Sequence, residues 1–354
     1  MLFSETETAK QNQKFPFHFF FRFAVEGWGE ETRGKCKEIF WFLHTRVRER
    51  VRGALSCSTT QSERMRQFQA TTRSARAKWV RAKVNTSPPD RKRRIRKMLS
   101  LFNLNIMHGR NCKSAVFPLR LSREVIQRNL DEIANCIHEH NPDIVTLQEV
   151  DQTSALSGNF DQFEYLTTRL EYPYKYFAPS CSASLFGTNI FISGNAILSR
   201  YPLENCESFN FGFSFPTERK GFIIADAVLP QGLKLSIASV HLVWIDWMRL
   251  NSRHHQLHLV REVVTSRKGS VAIAGDMNCD FLGKERTLRS FANHLDLRVY
   301  DPGNKNLNTS PSWNPTKRID WILASKDVNF ISYKTIRNRI SDHLAVFADL
   351  SISH

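Results

Sequence analysis

From Leu99 onward the chain alternates between two apolar spacings, and that alternation predicts its elements. Leu99 to Met107 (L-S-L-F-N-L-N-I-M) alternates in part and predicts a buried strand with Asn105 near its end. Val125, Ile126, Leu130, Ile133 and Ile137 then fall at helical spacing. Ser122 to His140 therefore predicts an amphipathic helix, closed by Asn141-Pro142. Asp143 to Leu147 predicts the second strand, with Gln148-Glu149-Val150-Asp151 at its tip. Strand, helix and strand joined by a short Pro turn form the βαβ unit of a mostly parallel sheet segment. Such a unit places Asn105 and Glu149 at C-terminal strand ends, where the ligand sites of α/β sheets gather.

The pattern continues in shorter pieces. Phe160 to Leu170 predicts a short helix, Tyr174 to Ala178 a short strand, and Gly194 to Arg200 another strand, closed by Tyr201-Pro202. Phe209, Phe211, Phe213 and Phe215 alternate with polar or small residues, as a face packed on the core would; a substrate-facing aromatic lip is the alternative. Phe222 to Leu229 and Leu233 to Ser239 predict a hairpin across Pro230-Gln231-Gly232, its second strand running into His241. A helix follows from about Asn251 to Arg267. His254, His255 and His258 lie within it, but no H-E-x-x-H pattern is present, and they read as ordinary helix residues. Trp244 and Trp247 read as packing residues, or as a ligand platform beside His241.

Val271 to Gly275 is a run of small and apolar residues that predicts a buried strand and delivers Asp276 and Asn278 into a turn. Glu285 to His294 predicts a helix, Ser310 to Pro315 a loop, and Arg318 to Leu323 a strand carrying Asp320 near its start. Ser341-Asp342-His343 precedes a last strand, Leu344 to Leu350.

Charge divides the chain in two. Residues 1–98 hold 23 Lys plus Arg against 9 Asp plus Glu, a net of +14. The remainder holds 27 against 25, so the overall +16 belongs to the N-terminal quarter. That quarter has an aromatic run without clear period from Phe15 to Phe23 and ends in Arg91-Lys92-Arg93-Arg94-Ile95-Arg96-Lys97. It reads as a basic, disordered extension over 1–97. Such a run also suits nucleic acid, acidic lipid or nuclear localisation, and a true start at Met98 would make the stretch an artefact. The seven cysteines show no C-x-x-C pairing, which argues for a reducing compartment. With no secretory start and no apolar run of membrane-spanning length, a cytoplasmic monomer is expected.

Eight polar residues recur at strand ends: Asn105, Glu149, His241, Asp276, Asn278, Asp320, Asp342 and His343. Each alone has a local explanation in turn chemistry, but the set has a common chemical sense. Carboxylates and an amide oxygen suit a hard cation such as Mg2+. Two histidines suit a phosphoryl group, and an aspartate beside a histidine fixes its tautomer. Without a Gly-rich phosphate loop, the set points to metal-assisted hydrolysis of a phosphoester.

In order, L-N-I-M-H-G, L-Q-E-V-D, G-N-A-I-L-S-R-Y-P, S-V-H-L, G-D-M-N, R-I-D-W-I-L and S-D-H-L-A-V resemble the motifs of the endonuclease/exonuclease/phosphatase superfamily, from about Met98 to the C-terminus. That superfamily includes abasic-site endonucleases, DNase I-like nucleases, inositol-polyphosphate 5-phosphatases and neutral sphingomyelinases. The resemblance implies a four-layer α/β sandwich over 98–354, with two central mixed β-sheets flanked by helices. It implies Glu149 as main Mg2+ ligand, with Asn105 and Asp342 completing the metal site and Mn2+ as a substitute. Asp276, assisted by Asn278, would align or deprotonate the attacking water. His343, oriented by Asp320, would contact the scissile phosphate, with His241 as a second phosphate donor. Whether Asp276 or His343 is the base stays open.

The chain also departs from well-known branches. The local motif around the catalytic tyrosine of abasic-site endonucleases is missing, and Cys279-Asp280 stand where 5-phosphatases read Y-R after G-D-x-N. The S-W-x-P-x-x-x-I-D-x-I-L pattern from Ser312 to Leu323 resembles bacterial members of unassigned substrate. A phosphodiesterase or nuclease is the leading expectation, with nucleic acid among its substrates. A lipid or small-molecule phosphodiesterase or phosphatase is the alternative, favoured by the near-neutral domain and its aromatic residues. A catalytically silent binding module and a purely nucleic-acid-binding role through Arg91 to Lys97 are the non-enzymatic readings.

Overall fold

Alternate residues of the first strand enter different cores. The structure is a computed structural model describing residues 98–111, 121–185, 187–212, 219–244 and 252–353. The extension over 1–97 with its basic run, and Phe213, Phe215 and Trp247, lie outside the described residues. In β1 (Met98–Asn105), Leu99 and Leu101 join one apolar cluster while Phe102 and Leu104 join another. This is the two-residue period of a strand buried on both faces.

The first cluster fills the space between two six-stranded sheets, where Leu101, Ile144, Ile237, Ala274 and Ile322 meet. The second cluster packs one sheet against helices α1 (Arg123–His140) and α2 (Gln162–Leu170). A third packs the other sheet against α3 (Arg253–Ser266) and α4 (Thr287–His294). Helix, sheet, sheet and helix make the four-layer α/β sandwich that the motifs imply.

The first sheet runs β11 (Val328–Ile336), β12 (Ala345–Ile352), β1, β2 (Ile144–Ser154), β4 (Thr188–Ser199), β3 (Tyr174–Leu185). The second runs β5 (Leu203–Asn210), β6 (Gly221–Val228), β7 (Lys234–His241), β8 (Ser270–Asp276), β10 (Asp320–Ser325), β9 (Leu297–Val299). Both sheets are mixed. Each has one parallel pair near its centre, β1–β2 or β7–β8, with antiparallel neighbours. A parallel pair needs a crossover, supplied by α1 in the first sheet and α3 in the second. The side chain of Ser122 accepts the Val125 N–H at the start of α1, and Asn141 closes it in the left-handed conformation with φ 46°.

Several boundaries differ from the sequence reading. β1 stops at Asn105 rather than Met107, because Met107 and His108 turn left-handed (φ 50° and 55°) into a 3-10 turn. β2 runs 11 residues, so Glu149 and Asp151 lie within the strand and not at its tip. β3 and β4 form a hairpin of 12-residue strands, longer than predicted. The edge strands β9 and β11 are additional; β11 mixes buried, half-buried and exposed positions and lacks a clean alternation. Among the described residues, no helix is long and apolar enough to cross a membrane, and Cys136, Cys206 and Cys279 are free thiols.

Candidate active site

One row across the second sheet holds three of the expected residues. Parallel pairing sets His241 opposite Asp276, and antiparallel pairing sets Asp276 opposite Asp320. The parity that sends Ile237, Ala274 and Ile322 into the inter-sheet core sends His241, Asp276 and Asp320 to the end of the same face. In β1 the same face reads Leu99, Leu101, Asn103, Asn105. The space between the sheets thus changes from apolar to polar along the strands. β8 can lie this close to β7 only because residue 275 is glycine. A Cβ there would stand 1.8 Å from the Val240 carbonyl oxygen.

Asp276 is the junction of the two sheets. Its Oδ2 accepts from Asn105 Nδ2 of the first sheet at 3.1 Å. The same oxygen lies 3.5 Å from His241 Nε2 and 3.8 Å from His343 Nε2. Its Oδ1 accepts the Asn278 N–H at 2.9 Å. Asn278 is left-handed and donates its side-chain amide to the Leu242 carbonyl at 2.9 Å, so it braces the turn behind Asp276. Burial pushes the Asp276 carboxyl up to about 7; the Asp320 charge adds to this, and His343 opposes it.

Glu149 reaches the site from a bulge. Between Leu147 and Val150, β2 advances one residue more than its partner β4, and Glu149 takes a left-handed φ of 55°. A bulge re-aims the side chain at that point, and backbone of this kind costs free energy that packing must hold in place. Glu149 Oε1 accepts from Lys220 Nζ at 3.2 Å and lies 3.6 Å from His241 Nε2. Oε2 lies 3.3 Å from His108 Nε2. Burial alone would raise this carboxyl, but Lys220, His108, His241 and His343 together hold it well below the usual range. Burial, aided by the Lys220 charge, holds His241 well below the usual imidazole value.

The turn before β12 supplies the last two residues. Ser341 Oγ donates to the Asn105 carbonyl at 2.7 Å and sits 3.1 Å from Asp342 Oδ1, which ties this turn to the end of β1. The Ser312 N–H donates to the Asp342 carbonyl at 2.7 Å and Ser312 Oγ donates to the Ser341 carbonyl at 2.6 Å, so the Ser312 to Pro315 loop clasps the turn. His343 Nδ1 is bonded to Asp320 Oδ2 at 2.8 Å. Burial opposes a charge on His343, yet Asp320, Asp342 and Asp276 raise it well above the usual value. Asp342 is raised chiefly by burial, with the Glu149 charge contributing.

All eight expected residues therefore join one chain of contacts, with Glu149 entering through His241 and Asp342 through Ser341 and His343. Glu149 and Asp342 are near enough for the charge of one to raise the carboxyl of the other, and the Asn105 amide oxygen, which accepts the Met107 N–H at 3.0 Å, is the third oxygen donor of the expected set. These donors fit a hard divalent cation. A second grouping brings one ligand atom each from Asp276, Asp320 and His343 within 4.8 Å of one another. Asp320 Oδ2 is engaged by His343 there, so that grouping orients an imidazole more than it opens a ligand set. The helix histidines stay apart from the site; His258 pairs with Glu262 at 3.3 Å on an exposed face. Sequence reasoning missed His108, Asp151 and Lys220. Lys220 is buried, and its only sequence sign is a lysine directly before the apolar run Gly221 to Ala225.

A carboxyl held low, a carboxyl raised and an imidazole paired to a carboxylate gather between two β-sheets, a set suited to acid–base chemistry. The chain belongs to the Endonuclease/Exonuclease/phosphatase family, whose sequence profile matches residues 119–343. No curated protein sequence matches it. Among solved structures it resembles an endonuclease/exonuclease/phosphatase from Beutenbergia cavernae (TM-score 0.57, 18% identity, 73% of this chain and 72% of that one). It also resembles the human Nocturnin catalytic domain with bound sulfate anion (0.54, 21%, 73% and 96%). A third is a mannosyl-6-phosphatase from Bacteroides thetaiotaomicron (0.53, 16%, 72% and 100%). At these identities the likeness is one of fold.

Proposed function

We propose that residues 98–354 form a divalent-metal-dependent phosphoester hydrolase domain, with 1–97 an extension outside it. Glu149, Asn105 and Asp342 would hold the cation, Mg2+ or Mn2+. When bound, it neutralises charge on a phosphoryl oxygen and polarises the phosphorus for in-line attack. Asp276 takes the proton of the attacking water, and Asn278 and Asn105 fix its two oxygens. His343, kept protonated by Asp320, donates from Nε2 to the phosphoryl oxygens as charge develops there. His241 is a second contact to the same group.

The observation that carries this reading is the environment of Asp276. Its Oδ2 faces both Nε2 atoms across the sheet junction, and burial lifts its carboxyl to about 7, matched to a base working near neutrality. The raised value of His343 supports a donor role there.

A lipid or small-molecule phosphoester is the second reading. Trp244 is 62% exposed only three residues after His241, and the domain's near-neutral charge gives little general attraction to nucleic acid. The test is hydrolysis by the full chain with Mg2+, Mn2+ or EDTA. Substrates are bis-p-nitrophenyl phosphate, single-stranded DNA and RNA, an abasic-site duplex, sphingomyelin and an inositol phosphate. Metal-dependent turnover on any of them upholds the hydrolase, and the best substrate chooses between the readings. Folded protein silent on all of them, with no cation binding, would leave a binding module of the same fold.

A further inference from the structure

The turn after β1 carries a nitrogen donor that an all-oxygen cation site leaves out. His108 Nε2 lies 3.3 Å from Glu149 Oε2, on the opposite side of that carboxylate from Lys220, which engages Oε1. His108 Nδ1 is bonded to Asp151 Oδ1 at 2.7 Å.

That pairing is built in depth. Asp151 is fully buried, and its Oδ2 accepts from Ser157 Oγ at 2.6 Å. Gln162 accepts the Asp151 N–H at 3.3 Å and donates to the His108 carbonyl at 2.8 Å, so one side chain fixes both members. Asn129 holds the next carbonyl, that of Gly109, at 3.2 Å, and the Phe191 ring lies against the imidazole at 5.7 Å.

A histidine that ligates a metal commonly gives its other ring N–H to a carboxylate, which sets the tautomer and aims the lone pair. In the tautomer that gives Nδ1–H to Asp151 Oδ1, Nε2 of His108 carries the lone pair and stands 3.3 Å from Glu149 Oε2, a nitrogen and an oxygen that a shared cation would hold together. Nitrogen and oxygen ligands about 2.1 Å from one ion, at the angles of tetrahedral or octahedral geometry, stand about 3.0 to 3.4 Å apart. The 3.3 Å separation falls within that span.

We propose that His108 Nε2 and Glu149 Oε2 bind one divalent cation together, with Asp151 behind the imidazole, and that the nitrogen donor makes the site prefer transition ions such as Co2+ and Zn2+ over Mg2+. Imidazole favours these ions, whereas carboxylate, carbonyl and water favour Mg2+. The proposal rests on reading Glu149 as a cation ligand.

Co2+ alone is the probe, titrated into the full chain and followed by calorimetry and visible absorption, with Mg2+ in a separate titration. His108→Asn removes the imidazole while keeping a residue that tolerates the left-handed backbone, and Asp151→Asn keeps the imidazole but weakens its support. The expected result is Co2+ binding at least about 10-fold tighter than Mg2+ in the wild type. Each variant should lose about 10- to 100-fold in Co2+ affinity, a larger loss than in Mg2+ affinity, so that the preference for Co2+ narrows. Pulsed EPR of Mn2+ bound to the wild type needs no variant and should show coupling to an imidazole nitrogen. Wild-type Co2+ affinity in both variants, with binding lost in Glu149→Ala, would overturn the His108 ligand and keep Glu149. Absence of the nitrogen coupling in wild type would overturn it equally. Unchanged binding in Glu149→Ala would overturn both.

Discussion

His343 owes its protonation to Asp320, and that pair makes the sharpest predictions at the scale of single residues. His343→Ala should lower turnover by about 10²- to 10⁴-fold while the circular dichroism spectrum stays that of the wild type. Asp320→Asn removes the first charge that raises the imidazole. The imidazolium then loses its proton at lower pH, so the alkaline limb of the kcat/KM profile should move down. Stability carries the same sign. The folded state holds this proton more tightly than the unfolded chain, so the pair stabilises the fold below the free-imidazole value of about 6.5. That contribution fades as pH rises through the raised folded value. Melting temperatures of wild type and Asp320→Asn should therefore differ most in acid and converge in alkali; a constant difference would contradict the pairing. The residues of this dyad were legible because strand parity and the S-D-H turn point to them. His108 and Lys220 were not, since their positions depend on a left-handed turn and a strand entry that leave no periodic trace.

At the scale of elements, two backbone features aim the site: the β2 bulge and the close β7–β8 pair. Gly275→Ala would drive a methyl group into the Val240 carbonyl. It should destabilise the domain by at least about 3 kcal/mol, read as a lowered denaturant midpoint, together with loss of activity. An unchanged midpoint would mean that β8 can move away without disturbing the row. The strands carrying His241, Asp276 and Asn105 could be read from sequence because each runs from apolar to polar on one face. The bulge could not, because one extra residue against β4 is a property of pairing rather than of composition. Reading Glu149 as the tip of a five-residue strand found the residue but not the geometry that presents it.

At the scale of the whole domain, two βαβ units set face to face bring the ends of β1, β7 and β8 to the bulge of β2. Beneath them a buried polar bridge spans the sheets: Gln148 Nε2 donates to Asn103 Oδ1 at 3.0 Å and to Ser239 Oγ at 2.9 Å. The four-layer arrangement was legible from the ordered motifs. The inter-sheet bridge was not, because Gln148 and Ser239 lie 91 positions apart in the chain. Charge is also divided at this scale, with +14 in residues 1–98 and +2 in the rest. Removing residues 1–97 should leave turnover of bis-p-nitrophenyl phosphate within about twofold. The same change should sharply reduce the salt-sensitive retention of the chain on DNA. Loss of small-substrate turnover would show that the extension takes part in the site.

Both sheets meet at Asp276, and on the proposed function this junction is a metal-dependent hydrolytic centre. The most direct measurement is turnover of bis-p-nitrophenyl phosphate by the full chain, with Mg2+, Mn2+ or EDTA, in wild type and Asp276→Asn. Turnover should be abolished by EDTA and reduced at least about 100-fold by the substitution, with folding and cation binding retained. Turnover indifferent to EDTA, or undiminished in Asp276→Asn, would contradict the proposed function.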